Sequence, residues 1–214
     1  MDSTRIELIS VVQSRLKGHA HSSNNKTHGM ASINELNAPS SELADLNLVF
    51  HKAPSELPPL TDNCWVISNA DSIPQGRHLK LRCGSLWALI DAIIYSWLTE
   101  FDALPIDEVF VERHVYGFGA VTRCSTPDCP PPLTEAESYR GYLLGWPDAT
   151  PKTPEWARKV TGLESSDIRA LAAELAKAEH PRFQCASDGE NASKYWQLLP
   201  LLKGQYTSNS WSAD

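Results

Sequence analysis

One run of the sequence constrains the fold more than any other: residues 86–101, LWALIDAIIYSWLTEF. Its apolar side chains recur at helical spacing over a broad face, so a helix of this sequence must be mostly buried; they are Leu86, Leu89, Ile90, Ile93, Ile94, Trp97 and Leu98. Ser85, preceded by Gly84, is the predicted N-cap. The run carries Asp91 and is shorter than the about 20 apolar residues of a membrane span. It therefore predicts the core helix of a layered domain.

Three short apolar runs precede this helix, and each is bounded by turn residues. They are residues 46–50 (LNLVF), 64–68 (CWVIS) and, more weakly, 79–82 (LKLR). Runs of this length are typical of buried strands in a parallel sheet. A further strand is predicted at 182–186, with short helices at 107–113 and 190–202. This order predicts an α/β fold, a Rossmann-like three-layer domain with a mostly parallel sheet.

Two more helices are marked by strong local signals. Thr153 is a predicted N-cap followed by Pro154 at the first helical position, and Gly162 is the predicted stop. The next helix begins at once, with Ser165 or Ser166 as its predicted cap. Its apolar stripe at helical spacing comprises Ile168, Leu171, Ala172 and Leu175.

The rest of the chain sets the predicted domain boundaries. Residues 3–17 have the pattern of an amphipathic helix, and residues 18–42 are polar without periodicity. We therefore predict an N-terminal helix and polar connector at 1–42, an α/β domain at 43–204 and a frayed tail at 205–214. Residues 117–138 are proline-rich and predict a long loop.

Composition and motifs exclude several classes of function. The net charge of −7 argues against a nucleic-acid partner, which requires clustered Lys and Arg. The acidic, amphipathic N-terminus is no secretory leader and no direct membrane span is present, so we expect a cytoplasmic chain. Five cysteines without an export signal indicate free thiols rather than a disulfide framework. A G-x-S-x-G elbow is absent, which argues against a serine hydrolase.

Residues 141–176, GYLLGWPDATPKTPEWARKVTGLESSDIRALAAELA, carry a resemblance to a known family. They are similar to a segment of the large subunits of the molybdopterin oxidoreductases of the dimethyl sulfoxide reductase family. The run K-T-P-E-W-A and the T-G that follows it are the most specific matches. Residues 107–118, DEVFVERHVYGF, continue the likeness, which covers roughly residues 43–204, the middle of a family large subunit.

The resemblance implies a set of cofactor-binding positions. Where the family has the phrase FGNNPAET after a strand, this chain keeps Glu56. Where the next family strand ends in an aspartate directed at the guanosine end of the cofactor, this chain has Ser68. In the third phrase Arg82 and Gly84 match, and Ser85 replaces a threonine. The resemblance therefore implies that these five residues contact the guanosine end of molybdopterin guanine dinucleotide.

Each of these positions also has a plain structural interpretation. Gly84 and Ser85 either seat a phosphate at a helix N-terminus or simply start a helix. Arg82 either pairs with a phosphate or lies on a sheet edge. Glu56 either accepts hydrogen bonds from a ligand or is solvated. Asp71, displaced along the chain, is a candidate substitute for the aspartate that Ser68 replaces.

The chain lacks several parts of a complete family subunit. A second family aspartate, which helps hold the guanine, is replaced by Leu86. The sequence has no C-x2-C-x3-C set for an iron–sulfur cluster, no candidate molybdenum ligand and no half for a second pterin. We therefore expect a partial or divergent large-subunit segment that is inactive alone. Its implied partners are the remaining parts of a large subunit and an iron–sulfur electron-transfer subunit. The alternative is a non-catalytic α/β remnant or interaction protein that has lost cofactor binding.

Overall fold

A computed structural model of the chain describes residues 6–7, 45–51, 64–73, 76–120, 133–186 and 198–204. Its centre is a four-stranded parallel sheet with the order β4-β3-β2-β6. A separate two-stranded parallel ribbon pairs β1 with β5. The strands are β1 (Ile6–Glu7), β2 (Leu46–His51), β3 (Cys64–Ser68), β4 (Arg77–Lys80), β5 (Val115–Tyr116) and β6 (Pro181–Ala186).

Four helices of the described ranges pack on one long central helix. That helix, α1, contacts α3, α4, α5 and α6, and α4 also packs on α5. The helices are α1 (Leu86–Thr99), α2 (Glu108–His114), α3 (Tyr139–Leu144), α4 (Pro154–Thr161), α5 (Ser165–Lys177) and α6 (Leu198–Leu202), with a 3₁₀ turn at Glu135–Glu137. The indole of Trp97 is fully buried and donates to the Ala172 carbonyl at 2.9 Å, which ties α1 to α5.

Side chains of β2 and β3 alternate between the two faces of the sheet, as strand geometry requires. Leu48 and Ile67 belong to the core that the helices share. Val49, Cys64 and Val66 are buried on the opposite face. Both faces of the parallel sheet are thus apolar, and the predicted α/β fold with a parallel sheet is confirmed.

Most strand and helix predictions are confirmed, with one shift of register. The strands predicted at 46–50, 64–68 and 182–186 are present, and the core helix occupies Leu86–Thr99. The strand predicted at 79–82 lies instead at Arg77–Lys80. The register explains the shift, because β3 pairs with this strand from Trp65 opposite Arg77 to Ser68 opposite Lys80. Beyond that point the backbone turns toward α4.

The two well-marked helices α4 and α5 also form. The Thr153 hydroxyl accepts from the Trp156 N–H at 3.1 Å, and Gly162 ends α4 with φ +82. The predicted serine cap of α5 is wrong by one residue, since Glu164 is the N-cap and makes no side-chain cap bond. Leu163 is buried, and its N–H donates to the Thr161 hydroxyl at 3.1 Å. This hydrogen bond and the burial of Leu163 fix the turn between the two helices, and α5 begins at Ser165.

The N-terminal helix prediction is wrong where the structure tests it. Ile6–Glu7 is a strand that pairs in parallel with Val115–Tyr116. Backbone pairing with a distant segment overrides the local helical pattern at these two residues. The remainder of residues 1–42, the tail from 205 to 214, residues 190–197 of the last predicted helix and residues 121–132 of the long loop lie outside the described residues. Of the described helices, none has the length and apolarity to cross a membrane.

Candidate functional site

Four of the five predicted cofactor-binding residues lie at one edge of the sheet. The Leu81 N–H donates to the Ser68 carbonyl at 2.7 Å, which joins the carboxyl end of β3 to the segment leaving β4. That segment runs through Arg82, Gly84 and Ser85 into α1. Ligands of open parallel sheets bind outside the carboxyl ends of the strands, so this edge is the expected side for a site. Glu56 lies outside the described residues.

Ser68 forms a side-chain pair that sequence reasoning missed. Its Oγ lies 2.8 Å from His78 Nε2 and accepts from the Ala70 N–H at 3.3 Å. The register places His78 opposite Val66, on the same face of the sheet as Ser68. Alternation along β4 would have found this contact, but the strand was predicted to begin one residue after His78. We call Ser68, His78, Arg82, Gly84 and Ser85 the strand-end site.

Charged groups next to the pair set its electrostatics. Burial lowers the pKa of His78 from its ordinary value, and the positive charge of Lys80 lowers it further. Lys80 also donates to Asp71 at 2.5 Å, and this hydrogen bond lowers the pKa of the exposed Asp71 carboxyl. In this structure Asp71 pairs with Lys80 at the exposed surface.

Arg82 bonds the end of a neighbouring helix. Its guanidinium donates to the Lys159 carbonyl at 2.7 Å, and its backbone N–H donates to the Thr161 carbonyl at 2.9 Å. A Cβ placed on Gly162 would lie 3.2 Å from Arg82 Nε, so the side chain covers the end of α4 closely. Arg82 is exposed, and a guanidinium has five N–H donors, so this contact leaves donors for an anionic ligand.

The start of α1 is open at Gly84. This glycine has φ +75, and a Cβ added there would meet no atom within 4 Å. The buried Ser85 hydroxyl donates to the Arg82 carbonyl at 2.6 Å and makes no cap bond to α1. The first turn also contains no acidic residue. The positive end of the helix dipole is therefore uncapped by these side chains, an arrangement that suits a phosphate or another oxygen-bearing group.

The strand-end site fits the phosphate groups of a nucleotide cofactor better than it fits the guanine base. Arg82 and the start of α1 offer donors and positive potential for phosphate oxygens. At the two positions where the resemblance implies aspartates, this chain has Ser68, which is buried, and Leu86. The described residues contain no group of three or more His, Cys, Asp and Glu side chains placed to hold a metal ion. Cys64 and Cys83 are free thiols, and burial raises the pKa of the Cys64 thiol.

The residues of the K-T-P-E-W-A run have structural contacts. Lys152 is buried, and its Nζ donates to Asp148 at 2.7 Å and to the Thr150 carbonyl at 2.5 Å. The same ammonium lies 4.5 Å from the centre of the Tyr142 ring. The pKa of Asp148 is lowered from its ordinary value: partial burial of the carboxyl raises it, but the hydrogen bonds from Lys152 and Thr150 and the positive charge of Lys152 together lower it by more. Lys152 therefore holds the loop between α3 and α4 in place, and Trp156 of the same run packs on Trp87 in the first turn of α1, with ring centroids 5.6 Å apart.

A buried carboxylate holds α3 against α1. Asp91 is fully buried, and it accepts from the Tyr139 hydroxyl at 2.5 Å and the Tyr142 hydroxyl at 3.3 Å. Burying a carboxylate is costly unless hydrogen bonds compensate it, and the two tyrosines supply them. The two rings stack with centroids 6.0 Å apart. Asp91 therefore serves packing in the helical layer.

Known proteins resemble this chain in both sequence and fold, although no protein-family model matches it. A probable dimethyl sulfoxide reductase chain of Escherichia coli, YnfF, is 31% identical over 143 residues, which cover 63% of this chain and 16% of the relative. Dimethyl sulfoxide reductase DmsA of Haemophilus influenzae is 31% identical over 138 residues, 61% of this chain and 16% of the relative. The pyrogallol hydroxytransferase large subunit of Pelobacter acidigallici is 34% identical over 96 residues, 45% of this chain and 9% of the relative.

A solved structure supports the fold. Acetylene hydratase from Pelobacter acetylenicus superposes with a TM-score of 0.52 and 16% identity, over 79% of this chain and 23% of that one. The dimethyl sulfoxide reductases to which the chain is similar are much longer, and the match spans 16% of their length. The chain is thus similar to one segment of the molybdopterin oxidoreductase large subunits of the dimethyl sulfoxide reductase family, the resemblance that residues 141–176 indicated.

Proposed function

We propose that this chain is a large-subunit segment of a molybdopterin-dependent oxidoreductase and that it binds the guanosine end of molybdopterin guanine dinucleotide at the strand-end site. One observation carries the proposal: four of the five positions that resemble the family's cofactor phrases lie at the carboxyl edge of a parallel sheet. Ser68 and the segment from Arg82 to Ser85 are joined there by the bond from Leu81 to Ser68. This is the edge where open α/β sheets bind nucleotides.

The residues divide the work of binding in this proposal. Gly84 leaves room for a phosphate to approach the start of α1, and the helix dipole favours its negative charge. Arg82 adds a fixed positive charge. A bound molybdenum cofactor supplies the redox chemistry, for which we propose reduction of an S- or N-oxide, and this chain's residues bind and orient its nucleotide end. The remaining parts of a large subunit and an iron–sulfur subunit are the proposed partners.

A second candidate function is an interaction protein that has lost cofactor binding. Its support is specific, because Ser68 and Leu86 stand where the family has two aspartates. In addition, the Arg82 guanidinium already bonds the Lys159 carbonyl. In this alternative the packing of α1, α4 and α5 is kept, while the side chains that would bind the cofactor have changed.

Release of bound cofactor separates the two candidates. The full chain is purified from cells that make molybdenum cofactor, denatured, and assayed for molybdopterin fluorescence and for guanine nucleotide. The proposal expects both in comparable molar amounts. Gly84→Asp places a carboxylate at the start of α1 and is expected to reduce both yields at least tenfold. Gly76→Asp is the matched control, because Gly76 is also exposed with a positive φ, of 89, and lies before β4 rather than after it.

Two results contradict the proposal. A folded wild-type chain without nucleotide, even after supply of cofactor, leaves the interaction protein as the better description. Equal losses in Gly84→Asp and Gly76→Asp show that the start of α1 is not the binding position. Circular dichroism of all three proteins establishes that each compared chain is folded.

A further inference from the structure

The hydrogen bonds of Ser68 determine the state of His78. Ser68 is buried, and a buried hydroxyl proton needs an acceptor. Within the described ranges its Oγ has two partners, the Ala70 N–H and His78 Nε2. The Ala70 amide can only donate, so His78 Nε2 is the acceptor for the Ser68 proton. This network assigns neutral His78 to the tautomer with its proton on Nδ1.

The same network disfavours the charged form of His78. A proton on Nε2 would make that nitrogen a donor and leave the buried Ser68 hydroxyl proton without an acceptor. Lys80 on the same strand adds repulsion, which its partner Asp71 only partly offsets at the exposed surface. Burial and this charge lower the pKa of His78, in agreement with the network. At neutral pH the ring is therefore an uncharged donor through Nδ1.

The Nδ1–H group has no hydrogen-bond partner among the residues that the structure describes. His78 is half-buried and lies two residues before Lys80, the register partner of Ser68, and its ring reaches the Ser68 hydroxyl at the carboxyl end of β3. A donor held in one direction by a buried partner is suited to recognising an acceptor on a ligand.

We propose that His78 is a ligand-binding residue of the strand-end site, that its Nδ1–H donates to an oxygen acceptor of the bound guanine nucleotide, and that Ser68 is the positioning residue that fixes its tautomer. The ligand role rests on the proposed function, whereas the tautomer assignment does not. One neutral hydrogen bond changes affinity by roughly two- to tenfold. Binding should therefore survive the loss of Ser68 in weakened form.

Nuclear magnetic resonance of the full chain tests the tautomer without any ligand. Long-range ¹H–¹⁵N spectra of the histidine rings at neutral pH identify which nitrogen carries the proton. We expect Nδ1–H in the wild type, a shift toward Nε2–H in Ser68→Ala, and the wild-type pattern in Ser68→Thr, which keeps the hydroxyl. His180 is the internal reference, because it is exposed and lies directly before β6. Nε2–H in the wild type, or no change in Ser68→Ala, overturns the assignment.

Titration with guanosine 5′-monophosphate then tests the ligand role. We expect roughly two- to tenfold weaker binding by Ser68→Ala and His78→Phe, recovery in Ser68→Thr and no change in His180→Gln. Equal affinity of wild type and His78→Phe overturns the ligand role of His78. An Nδ1–H wild type that binds no nucleotide refutes the proposed nucleotide site and this ligand role together, while the Ser68 assignment stands.

Discussion

Replacement of Lys152 by methionine tests whether the most family-like run is structural. Methionine keeps most of the side-chain volume and removes the ammonium. The change removes the charge-assisted bonds to Asp148 and to the Thr150 carbonyl and the contact with the Tyr142 ring. Since Lys152 is only 2% exposed, water does not replace these contacts in the folded protein.

The expected cost follows from those contacts. A hydrogen bond to a charged group contributes about 1.5–3 kcal/mol, and a largely buried cation–π contact adds about 1 kcal/mol. The gain from no longer burying an ammonium and from the apolar methionine offsets part of this sum. We therefore expect Lys152→Met to lower the free energy of unfolding by about 2 kcal/mol. Urea denaturation followed by tryptophan fluorescence measures it, with an unchanged slope m as the sign of intact two-state behaviour.

Two comparisons make this prediction refutable. Lys159→Met is the matched control, because Lys159 is exposed on α4 and should cost less than about 0.5 kcal/mol. The folded pKa of Asp148 is depressed, so its stabilisation is present above the unfolded pKa and is lost as pH falls through the folded value. In Lys152→Met the free energy of unfolding should therefore fall less steeply than in the wild type as pH is lowered. Equal unfolding free energies for the two variants at pH 7 would refute the reasoning.

Two further predictions concern the sheet edge and a tight turn. Glu174 accepts two hydrogen bonds from the Arg77 guanidinium, and these bonds lower the pKa of the Glu174 carboxyl. The pair therefore stabilises the wild type above the unfolded pKa of glutamate, and this stability is lost as pH falls through the folded pKa. Glu174→Gln should remove it, and acid-denaturation curves of the two proteins that run parallel contradict this prediction. Gly145 has φ +81, and a Cβ there would lie 2.4 Å from Pro151 N. Gly145→Ala should therefore lower the free energy of unfolding by about 1–3 kcal/mol and lower the melting temperature. Gly119→Ala is the control, because a Cβ there meets no atom within 4 Å, and equal shifts of the melting temperature in the two variants contradict the prediction.

Part of the candidate site could be predicted, because a resemblance to family motifs is read from the order of residues along the chain. The resemblance identified Ser68, Arg82, Gly84 and Ser85, and the structure brings these four to one sheet edge. It gave no geometry for them. Whether they contact a cofactor stays a prediction, as does the role of Glu56. His78 was missed because its importance comes from a partner ten residues earlier on a neighbouring strand.

Local interactions explain what the sequence by itself determined. The limits of α4 follow from Thr153, Pro154 and Gly162, since caps act within one turn and need no distant partner. The burial of α1 follows from an apolar face too broad for any surface helix. The strands β2 and β3 follow from apolar runs between turn residues.

Tertiary contacts decided the rest, because the responsible partners are far apart in the chain. Strand pairing placed β4 two residues earlier than its apolar pattern predicts and made Ile6–Glu7 a strand. Packing brought Arg82 to the Lys159 carbonyl, 77 residues away. Pairing of β3 with β4 likewise set Ser68 against His78. Long-range pairing competes with local preference and prevails where backbone hydrogen bonds and burial exceed a propensity difference of less than about 1 kcal/mol per residue.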